Sequence, residues 1–217
     1  LIAAFIAWSL ARGVFPGLYE GLDARAYWWM ALLSIVGLGA SIVLHELAHS
    51  LVAHAFGLPL HSITLFIFGG VAELEEEPHS PTAELLMALA GPATSLVLGL
   101  LFSSLHAAAD AGGLQAMAGV LGYLAMLNIA LGVFNLLPAF PLDGGRVFRA
   151  AAWAVTQDYR RATGLATKLG VGFGWAFMAA GLLAALSGAF SAGLWWILIG
   201  LFLQGAARSE QLHGEIE

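Results

Sequence analysis

Charged residues divide the chain into long apolar stretches. Tyr27 to Leu44, Leu85 to Leu105, Ala111 to Leu142 and Leu169 to Ala207 contain no Asp, Glu, Lys or Arg over 18, 21, 32 and 39 residues, close to or above the roughly 20 residues a helix needs to cross a bilayer. As one helix the last stretch would run about 58 Å, nearly twice the ~30 Å hydrocarbon core. It must fold back, and Ser187-Gly188 is the natural turn. The apolar start, Leu1 to Leu10, reads as the remnant of a first span. Six helices are expected, near 1–15, 27–57, 83–108, 114–137, 168–187 and 191–207. Between the second and third, Ser62 to Gly70 is short, β-branched and aromatic and closes on two glycines, the pattern of a strand or hairpin. Such backbone lies at membrane depth only where protein or a wet cavity surrounds it. The expected fold is therefore an α-helical polytopic membrane protein of about six transmembrane helices, with a small re-entrant β-hairpin between helices two and three. One transmembrane core would fill 1–207, and 208–217 reads as a polar, truncated cytosolic tail. The start at Leu1 rather than Met suggests that preceding residues have been removed.

Composition strengthens this reading. Sixty per cent of residues are apolar and only 10% are charged, against about 25% in a soluble domain. Arg146, Arg149, Arg160, Arg161, Lys168 and Arg208 fall on one side of a six-span arrangement, and Arg12 and Arg25 on the other. This bias of six to two marks the former side as cytoplasmic. The net charge of −6 reflects the local run Glu73, Glu75, Glu76 and Glu77, which reads as a solvated face. No basic patch invites nucleic acid. With no cysteine in the chain, any metal must be held by His, Asp or Glu.

The second span contains His45-Glu46-Leu47-Ala48-His49. Histidines at i and i+4 share one helical face and can converge on a single zinc ion, with a glutamate beside the first. A chain of this composition would show about 0.01 such matches by chance, and two histidines and a carboxylate within an apolar helix are costly without a function. Catalytic zinc takes three protein ligands, leaving one to find. Glu20, Asp23 and Asp110 belong to the opposite loops. Asp143 is the better candidate, because Pro138, Pro141, Gly144 and Gly145 break the chain around it at the end of span four that lies at the depth of the histidines. One Asp and one hydroxide would neutralise a zinc dication, the least costly state to hold within a membrane. His54 lies about 180° around the helix from His45 and faces away from the metal. His61, His79, His106 and His213 read as structural or solvated.

These motifs, followed by Phe68-Gly69-Gly70, Ala90-Gly91-Pro92 and Asn135-x-x-Pro138-x-x-x-Leu142-Asp143-Gly144 in that order, resemble the site-2 proteases, zinc metalloproteases that cut peptide bonds within the membrane. The resemblance spans about Ala40 to Phe148. It implies a six-helix core, one zinc per chain held by His45, His49 and Asp143, Glu46 as general base, and Asn135 assisting at the oxyanion. Asn135 has a second reading, as a partner for carbonyls freed where Pro138 interrupts the helix. Gly91-Pro92 reads locally as a close helix approach and a kink.

The expected activity is that of an intramembrane zinc endopeptidase acting on single-pass transmembrane proteins in regulated intramembrane proteolysis, from a multi-pass position in the cell membrane with the site toward the cytoplasm. The strand Ile63, Thr64, Leu65, Phe66, Ile67 and Phe68 would bind substrate by pairing with an unwound segment, or would only fill space between helices. Two other classes remain open: a divalent-metal transporter and a non-catalytic metal-binding scaffold. Glu46 separates them, since transport needs ligands and hydrolysis also needs a base. Some members of the resembled family append nucleotide-sensing CBS modules on the cytosolic side, a partner that would follow Glu217.

Overall fold

The computed structural model describes residues 2–58, 60–66, 69–74 and 79–214, with side chains described for 3–58 and 79–207. Helix α1 (Ile2–Ser9) continues through a π-helical turn, Leu10–Val14, into α2 (Phe15–Leu18). It is followed by α3 (Ala24–Ala55), strands β1 (Leu60–Phe66) and β2 (Gly69–Leu74), which pair into a two-stranded sheet, and then α4 (Pro81–Ala111) and α5 (Gln115–Asn135). The remaining helices are α6 (Asp143–Thr156), α7 (Tyr159–Leu186) and α8 (Phe190–Gly214).

Five helices among the described residues, α3, α4, α5, α7 and the Phe190–Ala207 part of α8, are long and apolar enough to cross a membrane. The expected first span is the shorter apolar stretch Ala3–Leu18, about 24 Å of helix, less than the hydrocarbon thickness. The sequence reading also passed over α6, which is too short and too charged to register as a span. Helix α7 starts nine residues before the expected 168 because Arg160, Arg161 and Lys168 end a charge-free window without ending a helix. Its start is set by Asp158, whose side chain accepts from the Arg161 backbone N–H at 3.0 Å, satisfying a donor that the first turn leaves open. Of the expected substrate strand, Ile63, Thr64, Leu65 and Phe66 lie in β1, described by backbone alone, while Ile67 and Phe68 lie outside the described residues.

The chain divides into two compact units. The first contains Leu1–Leu51, Leu60–Glu73 and Gly91–Val133. Its core joins Leu10, Ala11 and Phe15 to Tyr27, Met30 and Ala31 of α3 and to Val120 and Leu124 of α5. The Tyr27 hydroxyl donates to the Tyr19 carbonyl at 2.6 Å and accepts from the Leu22 N–H at 3.2 Å, closing the α2 to α3 connection. Some polar groups inside the unit are paired across helices: the amide nitrogen of Asn128, completely buried, donates to the Ser41 hydroxyl at 3.1 Å and to the Leu124 carbonyl at 2.9 Å. By contrast Leu100 is 65% exposed. Apolar residues outside and a polar contact between helices inside suit a helix surrounded by lipid.

The second unit contains Val52–Pro59, Leu74–Ala90 and Phe134–Glu217. Helices α7 and α8 pack along a seam of small residues: a Cβ at Gly181 would stand 2.6 Å from the Gly193 carbonyl oxygen, and one at Gly200 would stand 2.6 Å from that of Gly174. Close backbone approach of this kind replaces the hydrophobic drive that lipid cannot supply. At the other end of the unit, Arg149 of α6 and Glu84 of α4 form a buried ion pair at 2.6 Å, 4% and 1% exposed. The guanidinium carbon also stands 5.1 Å from the Phe140 ring centroid and 4.9 Å from that of Tyr159, within cation–π range. The pair fixes α6 between the start of α4, the turn before α6 and the start of α7. Removing Arg149 takes away the countercharge held 2.6 Å from the buried Glu84 carboxylate, a loss that is costly in a dry interior. Arg149→Ala should therefore lower stability by about 3–5 kcal/mol, whereas Val155→Ala, at an exposed position of the same helix, should change it little. Thermal unfolding in detergent checks both.

Candidate metal centre

His45 and His49 lie one turn apart in α3, the first buried and the second half-buried. Their Nε2 atoms are 3.2 Å apart and their rings are inclined at 75°, so both nitrogens address one point. Two donors on a tetrahedral zinc, each at 2.0–2.1 Å, would be separated by about 3.3–3.4 Å. The imidazole pair thus already has nearly the ligand spacing zinc requires. Glu46, between them in sequence, is also buried.

Helix α4 places two residues beside the pair. The Ser95 hydroxyl, completely buried, is 2.9 Å from His45 Nδ1. At Gly91 a Cβ would stand 2.5 Å from His45 Nε2 and would collide with His49 Nε2 as well. The absent side chain therefore leaves open the space in front of both donor nitrogens. Sequence reasoning gave Gly91 only a packing role and did not consider Ser95. The available signal was the Gly91-Pro92-Ala93-Thr94-Ser95 segment, one small opening followed a turn later by a hydroxyl.

Asp143 opens α6, with a half-buried side chain, where the helix N-terminus favours a carboxylate. Its position follows from a tight reversal. Leu142 N–H donates to the Ala139 carbonyl and Gly145 N–H to that of Leu142, each at 2.9 Å. Side chains at Gly144 and Gly145 would run into the backbone of Leu136, Leu137, Ala139 and Phe140, so the glycine pair lets the turn pack backbone on backbone. Asn135, half-buried, ends α5 just before this reversal. Among the described residues one group has the donor types and proximity to hold a metal ion: His45, His49 and Asp143, with ligand atoms all within 4.8 Å of one another. Two neutral imidazoles and one carboxylate are a donor set that zinc accepts.

Comparison with known proteins gives this arrangement a context. The model of peptidase family M50 matches residues 33–111 and 106–179. The chain belongs to peptidase family M50. Membership bears out the resemblance to site-2 proteases carried by the motifs. It is 42% identical over 211 residues to "Putative zinc metalloprotease sll0528" of Synechocystis sp., covering 96% of this chain and 53% of that protein. It is 40% identical over 214 residues to "Putative zinc metalloprotease Rip3" of Mycobacterium tuberculosis, covering 97% and 54%. With "Zinc metalloprotease MJ0392" of Methanocaldococcus jannaschii it shares 33% over 198 residues, covering 89% and 53%. The chain spans about half the length of these relatives. The M50 family and the names of these relatives imply zinc as cofactor, and the His-His-Asp group fits that ion in donor type and spacing.

Because Gly91 keeps the donor face open, Gly91→Ala should weaken zinc binding by about tenfold or more, a methyl group being too large for the space without moving an imidazole. Titration against a fluorescent zinc chelator measures this.

Proposed function

We propose that this chain is the membrane core of a zinc endopeptidase that cuts transmembrane segments of membrane-anchored proteins, the activity that serves regulated intramembrane proteolysis. The observation that carries the reading is the convergence of His45, His49 and Asp143 with a buried Glu46 next to the first histidine. Transport or scaffolding would use ligands alone, and Glu46 adds a base.

In this reading His45, His49 and Asp143 hold the metal. Bound there, zinc supplies Lewis acidity toward water and the scissile carbonyl. Glu46 takes a proton from the attacking water as the C–O bond forms, then gives it to the amide nitrogen as the C–N bond breaks, so peptide and water become acid and amine. Asn135 donates to the oxyanion that develops at the carbonyl. Glu46→Gln should retain zinc and lose at least about 100-fold in cleavage, whereas His49→Ala should lose both, since base and ligand are separable roles. Metal content and cleavage of a transmembrane peptide, measured on the same preparations, test this. Wild-type turnover by Glu46→Gln rejects the base.

The site faces the cytoplasmic side of the cell membrane. The basic residues support this: with Arg149 set aside because it is paired with Glu84, five remain on the side of Arg160 and two on the other. The cysteine-free chain allows Arg160→Cys to be labelled without background. Labelling only after the membrane is breached is expected, and labelling from outside intact cells overturns the orientation.

A helical substrate hides its carbonyls in its own hydrogen bonds, so it must unwind before cleavage. Strand β1, through its Ile63 to Phe66 part, is read as one arm of a re-entrant hairpin that pairs with the unwound segment, satisfying backbone groups that lipid cannot; Ile67 and Phe68, the rest of the expected strand, lie outside the described residues. Leu65→Pro and Ile67→Pro, each removing a backbone donor, should reduce turnover while zinc content stays at the wild-type level. Normal cleavage by both variants removes the strand from substrate presentation.

A further inference from the structure

Each imidazole has two nitrogens, and the second nitrogen of His45 faces a neighbour of its own. His45 Nε2 stands 3.2 Å from His49 Nε2, while Nδ1 stands 2.9 Å from the Ser95 hydroxyl oxygen. Both His45, 4% exposed, and Ser95, 0% exposed, are shut away from solvent that could otherwise satisfy the ring. A neutral imidazole carries one proton, on one nitrogen only, and the nitrogen without it is the one that can bind a metal. With the proton on Nε2, His45 could donate to His49 but could not present that atom to zinc. With the proton on Nδ1, the ring donates to Ser95 Oγ and turns the Nε2 lone pair toward the point it shares with His49. A serine oxygen in this position accepts that proton's hydrogen bond. An alanine would remove this acceptor from behind the ring, which disfavours the metal-binding arrangement.

We propose that Ser95 is a positioning residue for the metal centre: its hydroxyl oxygen accepts from His45 Nδ1–H when Nε2 is given to zinc, and the contact fixes the ring plane so that Nε2 is delivered as a zinc ligand. The inference rests on the zinc reading above, but it concerns a residue of α4 that binds neither metal nor substrate. Ser95 thereby couples two helices of the first unit to one ligand. Helix α3 supplies the imidazole, and α4 supplies both the hydroxyl behind it and, through Gly91, the open space in front of it.

The test is zinc affinity by chelator competition on the purified chain, for wild type, Ser95→Ala and Ser103→Ala, together with thermal unfolding of the metal-free forms. Ser103 is the control: it lies in the same helix, and its hydroxyl donates to the Gly99 carbonyl at 2.8 Å. Ser95→Ala should bind zinc about 10–100-fold more weakly, with Ser103→Ala near wild type and all three metal-free proteins unfolding at similar temperatures. Wild-type affinity in Ser95→Ala overturns the inference and leaves the zinc reading intact. Equal weakening in both variants also overturns it, assigning the effect to α4 as a whole. A wild-type chain that binds no zinc overturns the zinc reading and this inference together.

Discussion

A dication inside an apolar domain must be met by donors that are themselves held by the protein, because neither lipid nor a dry interior can compensate a misplaced charge or an unsatisfied N–H. Much of the first unit follows from that constraint. Two imidazoles one helical turn apart converge to 3.2 Å, one is braced from behind by a buried hydroxyl at 2.9 Å, and a glycine leaves their donor face open. Elsewhere in the unit the same rule appears without metal: Asn128 donates to the Ser41 hydroxyl in the interior, and many exposed positions of the helices are large apolar residues.

The second unit meets the constraint differently. A full positive and a full negative charge, Arg149 and Glu84, are buried together, and the guanidinium is flanked by two aromatic rings. Asp143 lies six residues before Arg149 in the same helix, with the Gly144-Gly145 reversal beside it. The carboxylate is thus carried by a helix whose position is set by an ion pair and by a backbone-on-backbone turn. Rigid support of this kind suits the ligand role proposed for Asp143.

The candidate metal-binding pattern was legible because its geometry is local. Histidines four apart share a face in any helix, and the Pro and Gly around Asp143 announce a helix break without reference to the rest of the fold. Charge-free windows likewise gave α3, α4, α5 and the α7–α8 pair, because bilayer thickness acts on length alone. Contacts between distant segments were not legible. Ser95 is fifty residues from His45, and a serine in an apolar helix has many innocuous readings until its partner is known. Arg149 counted as one of six loop cations until the structure paired it with Glu84, and α6 was missed because a span-length criterion sees only continuous apolar runs. The first helix failed that criterion from the other direction, being apolar but too short.

Zinc K-edge X-ray absorption on the purified, zinc-loaded chain tests the proposed centre most directly, since it reads ligand type and distance at the metal itself. Four light donors at about 2.0–2.2 Å, with the multiple scattering of two imidazole rings and the remainder oxygen, are the expected result. A six-oxygen shell, or a spectrum without imidazole scattering, contradicts a site built from His45, His49 and Asp143.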